Sequence, residues 1–357
     1  VEKRKMKKLL KKRRAKQTQE VPSRITNETV AEHRERILAG GRRFKYPMQY
    51  ARHRLVIVTV ALVAAALLLM GLFTWWQLYV AQSTNPILYR VTRIIPLPVA
   101  SVDGQTVRYS DYLMYYNSSI HFLQKSEELV LSSEDGKRQA DFQKRQNLDI
   151  AIRYAYAEKL AQELGIVVEK EQLDRVNQEH LTMANGPISQ ETYNASTMSL
   201  LGWTPEEEQR ATRSQILKNN VAYKIDTEAS EKVEKVAGLL KKTKNDFAKI
   251  AKELGGEGSG RVTAGASGMV PIVNNDGGLT EAARKLHKGQ VSSVVRSTTG
   301  DGYYFVKLLD KTDTQLNYEY IRIPLTEFDT RLQALKDQGK IQEYIKVESI
   351  GNPKIEE

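Results

Sequence analysis

Among 357 residues there is no cysteine. That absence removes disulfides, thiolate metal ligands and a thiol nucleophile together, so the chain must hold its fold by burial alone, which its length permits. Histidine is nearly as scarce: five, at 33, 53, 121, 180 and 287, with no spacing that suits a metal. No glycine-rich phosphate loop follows a strand pattern, so neither metal nor cofactor is expected. Residues 1–43 contain no aromatic side chain, which leaves the basic N-terminal stretch without the stacking platforms that single-stranded nucleic acid uses. Charge, finally, is missing from all 26 positions between Leu55 and Val80.

That uncharged run, LVIVTVALVAAALLLMGLFTWWQLYV, exceeds the roughly 20 apolar residues needed to cross about 30 Å of hydrocarbon. Trp75, Trp76 and Tyr79 lie at its far end, where amphipathic rings settle among headgroups. A buried core helix is the competing reading, and it does not explain the flanking charge. Residues 1–54 hold 18 Lys and Arg against five Glu, a net +13, whereas the remainder holds 36 basic and 38 acidic residues, a net −2. Basic flanks stay in the cytoplasm. The expectation is a single pass through the cytoplasmic membrane, with the N-terminus inside and residues 81–357 outside. A cleavable signal has an apolar core of about 7–15 residues behind a short basic region; here the core is longer and 54 residues precede it, which favours an uncleaved anchor.

Ten of the first sixteen residues are Lys or Arg. Such a block sets topology and meets anionic lipid; contact of 1–16 with nucleic acid or ribosomes is the alternative. Residues 28–38 (ETVAEHRERIL) read as a short polar helix ended by Gly40-Gly41. After the apolar run, Ser83 to Pro86 and then Pro96 and Pro98 mark 81–97 as a stiff linker.

Val99 and Val102, Asp103-Gly104, then Val107 and Tyr109 read as two strands about a tight turn, with Ser110 as the cap of a helix from Asp111. Leu148, Ile152, Tyr156, Leu160 and Leu164 form an i+4 ridge in a helix over 140–164, closed by Gly165. Thr204-Pro205-Glu206-Glu207 is a capping box with Pro at the first helical position, opening a helix to about Lys224. Beyond Thr227, apolar spacing gives helices around Val233–Leu240 and Phe247–Leu254. The stretch 255–278 holds eight glycines, too many for a helix or a long strand, with one short strand expected at 269–273. A further helix begins at Leu279, and 291–295 and 303–309 read as paired strands across TTGDG. LNYEYIRI (316–323) alternates as a strand, a helix follows around 327–336, and KIQEYIKVE is another strand candidate. The pattern is α+β.

Two stretches resemble known families, in the same order. PVASVDGQTVRYSDY, NLDIAIRYAYAEKLAQELGIVVEKEQLDRV and LLGWTPEEEQRATRSQILKNNVAYKI place 98–225 beside the mainly helical N-terminal chaperone domain of SurA/PrsA-type foldases. DFAKIAKELG, ASGMVP and LTEAARKLHKGQVSSVVRSTTGDGYYFVKLLD make 226–311 similar to the parvulin-type (PpiC-like) prolyl isomerase domain. Behind the cytoplasmic tail (1–54) and the one N-terminal transmembrane helix (55–80) read from charge and hydropathy, the resemblance implies a SurA-like helical domain (98–225) and a parvulin-like α+β domain (226–311), followed by an extension at 312–357. That extension either adds strands to the parvulin-like sheet or serves as a homodimer or partner-docking element.

Parvulins carry one histidine on the first strand and another in a G-Y-H pattern on the last, a polar Cys or Asp nearby, and Met and Phe around a proline cup. This chain departs from that pattern. Gly302-Tyr303-Tyr304 puts Tyr304 at the last-strand histidine, the first-strand position falls in histidine-free Val221–Ile225, and counting back from Leu286 puts Leu279 at the Phe position and Asn275 at the Met position. The resemblance implies an apolar cup of Met269, Leu279, Tyr304 and Phe305, with Tyr303 and Tyr304 as the only candidates for catalysis. Tyr112, Met114, Tyr115, Tyr116, Tyr193 and Met198 are candidates for client contact, adaptable side chains that suit varied sequences, against the plainer reading of helical core. Three functions follow: a membrane-anchored chaperone for unfolded exported polypeptides, with weak or absent isomerase activity; an active prolyl isomerase; or a docking protein of the secretion or cell-wall machinery.

Overall fold

The computed structural model describes residues 26–45, 47–183, 186–255 and 260–347; the basic block 1–16 lies outside them. The chain divides into two compact units, Val1–Thr74 and Trp75–Glu357. The first contains α1 (Asn27–Lys45) and most of α2 (Pro47–Tyr79). The expected stop at Gly40-Gly41 does not occur, since α1 runs on through both glycines. Within α2, His53–Tyr79 is long and apolar enough to cross a membrane, and none of its most apolar window is buried against protein.

A helix occupies much of 81–97, where a linker was expected. Asn85 accepts a hydrogen bond from Ile87 N, and Pro86 takes the first position of α3 (Pro86–Ile94), which buries Leu88 and Thr92. Strands β1 (Pro98–Val102) and β2 (Gln105–Arg108) form the expected hairpin, with Asp103 and Gly104 both at positive φ. Helix α4 (Tyr109–Ser126) starts earlier than expected, so Ser110 lies inside it and is no cap. Helix α5 (Glu134–Leu164) begins at a Ser133 cap and ends on left-handed Gly165. Then come α6 (Lys170–Leu181), a minimal hairpin β3 (Thr182–Met183) and β4 (Gly186–Pro187), α7 (Gln190–Leu201), and α8 (Pro205–Ile225), where Thr204 and Glu207 close the capping box reciprocally. Residues 221–225 are therefore the last turn of a helix and supply no strand.

After α9 (Thr227–Lys242) and α10 (Phe247–Leu254), the glycine-rich region yields β5 (Thr263–Pro271), nine residues where only a short strand was expected. A register shift between Ala266 and Met269 absorbs its small residues. Next come α11 (Leu279–Arg284), β6 (Val295–Arg296), β7 (Gly302–Lys311), β8 (Gln315–Pro324), α12 (Glu327–Asp337) and β9 (Ile341–Glu343). The four-stranded antiparallel sheet is ordered β5-β8-β7-β6. Strand β8, from the extension, thus sits inside the sheet, between β5 and β7. The chain then returns: Phe328 of α12 packs on Tyr156, ring centroids 5.4 Å apart, and β9 pairs antiparallel with β1. The result is an α+β unit in which the C-terminal segment completes both parts.

Candidate functional site

Strand alternation sorts the predicted cup residues. Tyr304, Val306 and Leu308 point to one face of the sheet and share a buried cluster with Leu279, Leu316 and Tyr318. Tyr303 and Phe305 point to the other and pack with Phe247 and Ile250 of α10. Phe305 is therefore core on the opposite side from Tyr304, and the two tyrosines cannot serve one site. Met269 is exposed. Of the four proposed cup residues the fold brings together only Leu279 and Tyr304, and both are buried within the chain's own cluster. Tyr303 stacks edge-on against Tyr223 at 4.9 Å, with its hydroxyl 3.4 Å from Ser230 Oγ.

On the Tyr304 face a polar group gathers that sequence reasoning missed. The Tyr304 hydroxyl donates to Asp301 Oδ2 at 2.5 Å, and Thr299 Oγ1 donates to Asp301 Oδ1 at 2.7 Å. Arg322 of β8 places Nε 3.3 Å from Asp301 Oδ2 and donates from Nη2 to the Asp301 carbonyl at 3.2 Å. Tyr320, also on β8, meets the Tyr304 ring edge-to-face at 5.7 Å. Its own ring crosses Gly265 of β5, where a Cβ would lie 2.6 Å from the Tyr320 hydroxyl. Further along, Tyr318 donates to Asp276, which also accepts from Thr280 N and Oγ1. The signal was available: 318, 320 and 322 alternate onto one face of LNYEYIRI.

Burial raises the Tyr304 phenol, and its hydrogen bond to Asp301 raises it further, so it remains a protonated donor across the physiological range. Burial works against the charge on Asp301, but hydrogen bonds from Tyr304, Thr299 and Ser297, together with the Arg322 charge, hold its carboxyl below the usual range. A depressed folded pKa stabilises the fold above the unfolded value, and the gain is lost as pH falls through the folded one. Acid titration of stability is accordingly expected to show a loss below about pH 4 that Asp301→Asn flattens; parallel curves for the two proteins would contradict this.

The helical part holds a cavity of about 220 Å³ between α4, α5 and α8, rimmed by β2. Met114, Tyr115, Tyr154 and Leu217 supply apolar lining, while Arg108, Asp111, Glu158, Arg210 and Arg213 line it with charge. Tyr115 packs on Tyr154 at 5.5 Å and edge-on to Trp203 at 6.0 Å, and Trp203 Nε1 donates to the Met114 carbonyl. Asp111 pairs with Arg210 at 3.3 Å, yet burial pushes its carboxyl up despite Arg210 and Arg108. The other predicted tyrosines go elsewhere. Tyr112 and Tyr116 are buried in the main core, stacked on one another behind Tyr109. Tyr193 stacks on His180 and bonds its Nδ1 at 3.0 Å, and Met198 is exposed. Only Tyr115 and Met114 of that set reach the cavity.

Comparison with known proteins agrees with both parts. A SurA-like N-terminal domain matches residues 48–222, and a PPIC-type PPIase domain matches 216–310. Chaperone SurA of Salmonella typhimurium strain LT2 and of Salmonella typhi are each 29% identical over 128 residues, and Chaperone SurA of Photorhabdus laumondii is 27% identical over 128. The matches cover 34% of this chain and 29% of those relatives. With the two domains in this order, the chain belongs to the SurA/PrsA-type foldase family that carries a parvulin domain.

Proposed function

We propose that this protein is anchored in the cytoplasmic membrane by residues 55–80 and holds unfolded exported polypeptides outside it, with a PPIC-type domain that isomerises proline slowly or not at all. Clients would enter the cavity beside Tyr115, the helical domain being 98–225, the isomerase-like domain 226–311 and the extension 312–357 the clasp between them. One observation carries the reading on catalysis: the Tyr304 ring is buried and its hydroxyl is committed to Asp301. The sheet strands contain no histidine, so the imidazole pair that parvulins bring to an amide whose rotation barrier is about 18–20 kcal/mol has no counterpart on them.

Isomerisation of a proline peptide by the purified protein is expected to stay near the uncatalysed rate, unchanged by Tyr304→Phe; a rate that falls with this substitution would reverse the assignment. Holding is tested separately. Ser214 lies half-buried in the cavity lining, and Ser214→Phe fills the space from its rim. Suppression of aggregation of an unfolded client should weaken while the unfolding midpoint stays put; undiminished suppression places client binding elsewhere.

A further inference from the structure

The start of the second unit concentrates exposed apolar surface. Trp75, Trp76, Val80, Ile87, Ile94 and Ile95 are all more than two-fifths exposed. In α3, Ile87, Arg90 and Ile94 fall at i, i+3 and i+7 on one outward stripe, while Leu88 and Thr92 face the core. Ile94 is 83% exposed and Ile87 68%, so a nine-residue helix leaves two isoleucines facing water. No acidic residue occurs between Trp75 and Pro98, whereas Arg90 and Arg93 do. Arg93 is engaged with Glu207 at 3.8 Å and lies over the Tyr89 ring, which leaves Arg90 as the cation of the outward stripe.

We infer that α3 is an interfacial helix: its Ile87–Ile94 stripe and Ile95 lie in the headgroup layer of the leaflet that α2 enters, with Arg90 on an anionic lipid phosphate. The inference rests on the membrane reading of residues 55–80. Chain length restricts the options, because seven residue steps separate Val80 from Ile87 and span at most about 25 Å. The stripe is thereby confined to the neighbourhood of the bilayer. There an amphipathic helix with basic residues gains by immersing its apolar face about 5–10 Å into the boundary. A soluble protein partner would have to reach the same surface against the membrane.

The cysteine-free chain allows the test directly. Single substitutions Ile87→Cys, Ile94→Cys, Leu67→Cys and Val167→Cys are made in the full chain, labelled with an environment-sensitive fluorophore, and reconstituted in phosphatidylcholine–phosphatidylglycerol vesicles. Some vesicles carry a nitroxide lipid quencher near the headgroup. Labels at 87 and 94 are expected to shift to the blue and to be quenched, unlike the label at exposed Val167, and Arg90→Glu should reduce that quenching. If Leu67 reports lipid but 87 and 94 behave like Val167, the interfacial helix is refuted and the anchor stands. If Leu67 also reports water, both fall. Quenching indifferent to Arg90→Glu removes the headgroup contact.

Discussion

Replacing Gly302 with alanine is expected to pull the isomerase-like sheet apart at its centre. Gly302 begins β7 at φ +154°, a backbone conformation that a residue with a Cβ avoids. An added Cβ would lie 2.4 Å from the Ile323 carbonyl oxygen and 3.1 Å from Pro324 Cα, both backbone atoms of the paired strand β8. Neither can rotate away, so relief requires β7 to leave β8 at their first pair. The Gly302 carbonyl also accepts from the Tyr223 hydroxyl at 2.6 Å and from Ser297 N at 3.1 Å, so the shift would break the tie between α8 and the sheet as well. Backbone strain and overpacking each cost about 1–3 kcal/mol, which together puts the loss at roughly 3–5 kcal/mol. Gly268 is the control: its φ is +65° but nothing lies within 4 Å of its Cβ, so Gly268→Ala should cost about 1–2 kcal/mol from conformation alone. Denaturant unfolding of both variants in detergent decides it; equal losses would mean that the close approach to β8 is not what requires the glycine.

That glycine also shows what a sequence reveals. The G-Y-Y pattern and the DG turn marked β7, and capping boxes and i+4 ridges marked α5 and α8, because local chemistry fixes those elements. The partition of Tyr303 from Tyr304 follows from strand period alone and is legible in the sequence, although the family resemblance offers both to one chemistry. What could not be read was long-range. Nothing local says that LNYEYIRI would lie between β5 and β7; the helix from the Thr204 cap to about Lys224, by contrast, is legible locally, and only the family pattern put a strand position at Val221–Ile225. The glycine-rich stretch misled in the same way: β5 is held by pairing with β8, not by its own propensity. Asp301 and Arg322, 21 positions apart, become partners only through that insertion.

The second large effect is expected at Asp226, one residue that serves two helix ends. Its Oδ1 accepts from Ala229 N at 2.9 Å, capping α9. Its Oδ2 accepts from Thr326 N at 2.7 Å and Glu327 N at 3.1 Å, at the start of α12. There Thr326 occupies the cap position but makes no side-chain cap of its own, so α12 borrows its cap from a residue 100 positions upstream. The carboxylate is almost wholly buried and faces the positive ends of both helices. Asp226→Ala removes three charge-assisted bonds and leaves buried N–H groups at two helix ends. At about 1–2 kcal/mol for a cap and 1.5–3 for each charged bond lost, discounted for partial solvation, the expected cost is roughly 3–5 kcal/mol. Asp226→Asn separates the two roles. One amide oxygen can still cap α9, but the amide nitrogen then confronts the donors of Thr326 and Glu327. The asparagine variant should therefore release α12 and β9 while α9 stays in place. Limited proteolysis is the measurement: cleavage is expected to appear between Leu325 and Glu343 in both variants, and near Thr227 in the alanine variant alone. Protection of 325–343 in Asp226→Asn would show that α12 is held by the Phe328–Tyr156 packing and not by the shared carboxylate.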